Sequence, residues 1–151
     1  MQKEYFAGLF DGEGCVRIYK NKDSKSKFEY RYGLLATICM TGKEALVIAQ
    51  KKWNGGLYCE DRTDEGYLPI WRWKVHCDEA EKFLRDIYPY VYEKKKQIKL
   101  ALEFQKKCMR RKTAKGGYKT LTKKEHEMRN YYYKTISHAK HTNRGGVLQN
   151  D

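Results

Sequence analysis

The chain has 151 residues, enough for one well-buried core, and 32 Lys+Arg against 19 Asp+Glu give it a net charge of +13. That balance points to a polyanionic partner, nucleic acid being the commonest, with a merely basic soluble protein as the plain alternative. Five cysteines, odd in number and never closely spaced, argue against a disulfide framework and a zinc knuckle, and the longest apolar stretch, 33–40, is too short to span a bilayer.

The segment Tyr5–Gly14, Y-F-A-G-L-F-D-G-E-G, begins as a helix and ends as a turn. Phe6, Leu9 and Phe10 recur at helical spacing. Gly8 and Gly12 lie four apart, so both sit on one face and bare a strip of backbone. Each glycine costs about 1 kcal/mol against alanine, which is tolerable where a second helix must approach that strip closely; the alternative is a poor amphipathic helix with a glycine C-cap. Asp11 and Glu13 fall in the last turn and just beyond it, where partial negative charge disfavours carboxylates. A divalent cation compensates, because hard cations take carboxylate and backbone carbonyl oxygens and a helix C-terminus offers both. The two acids point in different directions and make a poor acid/base pair within one chain. Two copies packed through their glycine faces would bring their Glu13 carboxylates together.

Next, Val16 and Ile18 alternate with Arg17, Tyr19 and Asn21, predicting a strand with one apolar and one basic, aromatic face. Lys20–Lys27 reads as a charged hairpin tip or a solvated loop. A second strand is expected over Phe28–Met40, with Leu34, Ala36, Ile38 and Met40 on one face and Arg31, Gly33, Leu35, Thr37 and Cys39 on the other. Thr41–Glu44 fits a capping box opening a helix that Trp53–Gly56 ends. Leu57–Arg62 and Tyr67–Cys77 predict a second hairpin across the turn Thr63–Gly66, in which Trp71, Trp73 and Val75 alternate with Arg72, Lys74 and His76. Pro69 limits pairing near its start.

Asp78–Glu81 reads as another capping box, followed by Ala80, Phe83, Leu84, Ile87 and Tyr88 on one helical face until Pro89 breaks it. A further helix is expected from about Tyr90 to Cys108, with Val91, Ile98, Ala101 and Leu102 on one side and Lys94 on that same side. A lysine on an apolar face either snorkels or serves a site. Met109–Lys119 is a basic linker, Thr122–Glu125 caps a last helix to about Lys140, and the tail after Asn143 is expected to fray. The fold class is therefore α+β, in the order α-β-β-α-β-β-α-α, with a core over 1–108 and a C-terminal extension over 109–151.

Phe6–Gly14 resembles the LAGLIDADG motif of homing endonucleases. Phe6 and Phe10 replace aliphatics, Gly12 replaces alanine and Glu13 replaces aspartate, and the order of elements matches the family's α-β-β-α-β-β-α core with its four-stranded antiparallel saddle sheet. One copy of the motif occurs, so the resemblance implies a homodimer joined through Ala7, Gly8, Asp11 and Gly12, acting on a pseudo-palindromic double-stranded DNA site as the nuclease of a mobile intron. It further implies that Glu13, helped by the Gly12 carbonyl oxygen, binds Mg²⁺ or another divalent cation such as Mn²⁺, and that Glu13 and Lys94 are catalytic, although Lys95 and Lys96 leave the lysine register open. The strand faces would then read DNA through Arg17, Tyr19, Asn21, Arg31, Thr37, Glu60, Arg62, Arg72, Lys74 and His76. The glutamine that some relatives carry after the second strand is absent; Cys39–Gly42 offers at most Thr41. An RNA-splicing maturase and a non-cleaving DNA-binding regulator use the same fold and are the alternative readings. With no basic-then-apolar N-terminal stretch, the protein is expected to be soluble and intracellular, in a cytoplasm or an organelle matrix, with no membrane and no small-molecule substrate.

Overall fold

The computed structural model describes residues 2–108, 113–117 and 119–142; residues 109–112 and 118 of the expected basic linker, and the tail, lie outside these. Helix α1 (Gln2–Glu13) runs straight into strand β1 (Gly14–Lys22), which pairs antiparallel with β2 (Tyr30–Met40). Helix α2 (Glu44–Trp53) leads to β3 (Gly56–Glu60) and β4 (Ile70–His76), then α3 (Cys77–Ile87), a 3-10 turn (Tyr88–Tyr90), α4 (Lys95–Cys108) and α5 (Lys123–Thr142). The sheet is four-stranded and antiparallel in the order β1-β2-β4-β3, so the two hairpins meet at the centre through β2 and β4. This is the expected α+β architecture.

Period-2 patterning decides which face is buried. Val16, Ile18, Tyr32, Leu34, Ala36, Ile38, Trp73 and Val75 pack under the helices with Phe6, Phe10, Trp53, Phe83 and Leu84. Four aromatic rings, Phe6, Trp53, Phe83 and Trp73, meet edge-to-face or tilted in this core. Asp86 of α3 ties the same layer together, accepting from Trp53 Nε1 at 2.9 Å and from Lys3 Nζ of α1 at 2.7 Å. Helix α5 packs against β1 and α4 and adds Tyr132 and Ile136 to the core. Among the described residues no helix is long and apolar enough to cross a membrane.

Local expectations fared unevenly. The box at Thr122 is present: Thr122 N donates to Glu125 Oε2 at 2.7 Å and Glu125 N to Thr122 Oγ1 at 3.2 Å. The other two boxes are absent. Lys43, not Thr41, is the N-cap of α2 and makes no side-chain capping bond. Helix α3 begins at Cys77 directly from β4, with Cys77 at φ 45°, and Asp78 accepts from Gln105 Nε2 of α4 instead. The second hairpin is shorter than expected: β3 stops at Glu60 and β4 begins at Ile70, with a 3-10 turn at Thr63–Glu65 between them. Arg62 therefore lies off the strand, where its Nη2 meets Glu65 Oε2 at 3.1 Å and its guanidinium covers Tyr67.

Candidate active site

The passage from α1 to β1 has no loop. At Gly14 a Cβ would come within 2.2 Å of the Phe10 ring and 2.5 Å of its carbonyl oxygen, so glycine is required for the helix to become the strand in one step. That abrupt change leaves Glu13 exposed where the last turn of α1 meets the start of β1. Among the described residues no hydrogen bond engages the Glu13 carboxylate.

Asp11 is turned the other way. Its Oδ2 accepts Tyr92 N at 2.7 Å and its Oδ1 accepts Lys94 N at 3.1 Å, fixing the turn ahead of α4. Lys94 is not within the helix, as its spacing suggested. It precedes α4 and supplies the carbonyl that Ile98 N reaches at 2.9 Å. Held there, Lys94 Nζ donates to the main-chain oxygen of Asp11 and sets a positive charge on the negative end of α1. Burial holds this amine below the usual lysine range, against the opposing pull of Asp11, Cys15, Glu93 and Glu13. Glu13 and Lys94 are thus brought to one helix end. Sequence reasoning missed a second lysine there: Lys140 Nζ of α5 lies 3.2 Å from Cys15 Sγ, two residues after Glu13.

The outer face of α1 is open. Tyr5 is 55% exposed, and a Cβ added at Gly8 or Gly12 would meet nothing within 4 Å. Ala7, expected with the glycines at a helix contact, is fully buried in the protomer's own core. One helical position rotates the side chain by about 100°, which carries Ala7 off the glycine face and into the core.

Among the described residues no group of three or more His, Cys, Asp and Glu could hold a metal ion. The donors at the end of α1, an exposed Glu13 carboxylate and the Gly12 carbonyl, are oxygens of the kind hard cations take. Mg²⁺ in particular is commonly held by one or two carboxylates, with water and substrate phosphate completing its shell. The residues present therefore fit such an ion, provided that other oxygens join them.

From this end extends the outer face of the sheet. The register aligns Arg17, Leu35 and His76 in one row, Cys15, Thr37, Lys74 and Gly56 in the next, and Cys39, Arg72 and Tyr58 beyond. Asn21 and Arg31 pair at the far end of the first hairpin, and Glu60 faces Ile70 at the end of the second. Every residue expected on this face except Arg62 stands on a strand. The face is not a bare row of charges: Tyr19 lies across Gly33 and meets His76 in a T-shaped pair. Arg72 Nε donates to Cys39 Sγ at 3.2 Å and Arg72 Nη2 lies 3.5 Å from Glu60, while Lys74 covers the Tyr58 ring.

No family model matches the sequence, and no curated protein is similar to it in sequence. Solved structures are similar in fold. The homing endonuclease I-CvuI in complex with its target superposes with a TM-score of 0.70 at 17% identity, over 99% of this chain and 86% of that one. An archaeal intron-encoded homing endonuclease, I-Vdi141I, complexed with DNA, gives 0.72 at 13% identity, over 99% and 89%. For the LAGLIDADG homing endonuclease I-LtrWI bound to target DNA, 70% of this chain matches 37% of a longer one, with a TM-score of 0.59 and 18% identity.

Proposed function

We propose that this chain, which has the fold of the LAGLIDADG homing endonucleases, is a site-specific double-strand DNA endonuclease. It acts as a homodimer on a long pseudo-palindromic site and hydrolyses phosphodiester bonds with Mg²⁺ or a similar divalent cation. The observation that carries the reading is the meeting of an exposed carboxylate, Glu13, with a partly buried amine, Lys94, at one end of a basic strand face. The match to 37% of the longer I-LtrWI chain supports a protomer that supplies half of a DNA-binding unit, and the open glycine face of α1 is the surface through which two copies meet.

In this reading Arg17, Arg72, Lys74 and their neighbours meet bases and phosphates in the major groove, where side chains on a strand ribbon distinguish all four base pairs. Arg62, off the strand, meets the backbone if it meets DNA at all. Glu13 and the Gly12 carbonyl hold the cation, which when bound supplies an activated water and charge neutralisation at the phosphate. Asp11 is a positioning residue: its two backbone hydrogen bonds hold Lys94 in place. Lys94 Nζ, kept partly from solvent, donates toward negative charge developing on the phosphoryl oxygens, a kind of stabilisation that is strongest in a water-poor site. Two such ends, one per protomer, cut the two strands.

Selection of cleavable sites from a randomised duplex library with Mg²⁺ tests the proposal. Cut products that vanish on chelation and with Glu13→Gln are expected. DNA binding without cleavage of any library member would favour the non-cleaving regulator, and binding confined to structured RNA would favour the maturase.

A further inference from the structure

The β1–β2 connection, 23–29, carries Lys25 and Lys27, and its composition suits a solvated loop, yet the chain fastens it. Phe28 stacks on His126 of α5, ring centroids 4.7 Å apart and planes 20° from parallel. Ser26 Oγ donates to the Tyr30 carbonyl at 3.2 Å, and Asp23 N to the Glu29 carbonyl at 2.8 Å. One strand step away, the Tyr32 hydroxyl donates to Asn130 Oδ1 at 3.1 Å.

Docked on α5 in this way, the connection and the segment leading into α5 enclose a cavity of about 320 Å³. Lys25, Lys27, Arg31 and Arg129 all line it, against a single carboxylate, Asp23, whose Oδ1 already accepts Lys25 N. Arg129 is 7% exposed and donates to the Cys108 carbonyl, so this wall is a fixed cation rather than a mobile surface chain. Four positive groups drawn around one concave space repel each other and favour an anion there. Arg31 belongs to two places at once: it pairs with Asn21 on the outer face of the sheet and also lines the cavity. Arg31 thus joins the cavity to the end of the proposed reading face that lies farthest from Glu13.

We propose that this cavity is a backbone phosphate site for duplex DNA, lying outside the segment read by the strands and built jointly by the first hairpin and α5. The nine residues of β1, at about 3.3 Å each, set it about 30 Å from Glu13. At about 3.4 Å per nucleotide along one strand the contacted phosphate lies roughly nine base pairs from the cut. The inference rests on the DNA reading above, and the test separates the two.

Binding to a mixed-sequence duplex without divalent metal is measured against salt for the parent, for Lys25→Ala/Lys27→Ala, and for Lys51→Ala/Lys82→Ala. The last pair removes equal charge from exposed positions on α2 and α3. The hairpin pair should lower the magnitude of the log K against log[salt] slope by about one unit per pocket, with an unchanged melting temperature, while the helix pair leaves the slope as it was. An unchanged slope for the hairpin pair, or an equal loss in both, overturns the pocket and leaves the DNA reading standing. A parent affinity that ignores salt overturns the DNA reading itself. On a cleavable target, ethylating the phosphate about nine base pairs from each cut should weaken the parent and spare the hairpin variant; equal weakening of both would again overturn the pocket.

Discussion

The two faces of α1 serve different ends. The inner face, Phe6, Ala7 and Phe10, is buried in the protomer, and Asp11 at its end holds the turn before α4 through Tyr92 N and Lys94 N. The outer face, Tyr5, Gly8, Gly12 and Glu13, is exposed and packs on nothing in its own chain at either glycine. A helix that gives up about 1 kcal/mol at each of two glycines, and leaves a carboxylate at its negative end, gains nothing from that face as a monomer. The difference separates what completes the fold from what awaits a second copy, a cation and DNA.

The largest expected effect divides the faces directly. Gly8→Leu fills open space on the outer face and improves helix propensity by roughly 1 kcal/mol, so the protomer should melt no lower than the parent while sedimenting as a monomer and losing detectable cleavage. An intact, active dimer would break the comparison. Next in size is Lys94→Met, which keeps the inner packing and removes the amine at the helix end. Cleavage should fall by about 100-fold, the scale of one preorganised donor, with DNA affinity in gel shifts nearly unchanged.

Asp11→Asn acts from the inner face and should cost less catalytically and more structurally. The amide retains one acceptor and sets its NH₂ against a backbone N–H, so denaturant melts should show a loss of about 1–3 kcal/mol, with cleavage reduced only as far as Lys94 drifts. The smallest effect is one of pH. Burial depresses the folded value of Lys94, so between that value and the unfolded one of about 10.4 the unfolded chain binds more protons, and stability rises with pH. Parent melting temperatures should gain on those of Lys94→Met as pH climbs through that window; a constant difference would mean that the amine is not desolvated.

Much of this division was legible from residue spacing, because the strands obey a two-residue period and α1 a helical one. Val16 and Ile18 against Arg17 and Tyr19 fix the faces of β1 whatever packs on them, and Gly8 and Gly12 mark the open side of α1. Ala7 was placed with the glycines by the family resemblance alone, and its own angular position on α1 turns it into the core instead. The partners of Asp11 lie 81 and 83 residues away, beyond any local pattern. Of the three capping boxes only the one at Thr122 formed; the start of α2 is exposed as well, yet its N-cap is Lys43, which makes no side-chain capping bond. At Asp78 the strand passes into the helix without a loop and the acid is taken by Gln105. Nothing local marked the β1–β2 connection as docked, since Phe28 and His126 meet only through the packing of α5 on β1.

The central claim concerns Glu13, and one paired measurement on a single selected target tests it: gel-shift affinity and Mg²⁺-dependent cleavage by the parent and by Glu13→Gln. The exposed carboxylate makes no hydrogen bond within the described chain, and Lys94 already compensates part of the helix end. Removing the charge should therefore leave DNA binding nearly intact and, without metal, thermal stability at least equal to the parent, while cleavage disappears. Cleavage by Glu13→Gln at the parental rate would contradict the account, placing the metal and the chemistry away from the end of α1.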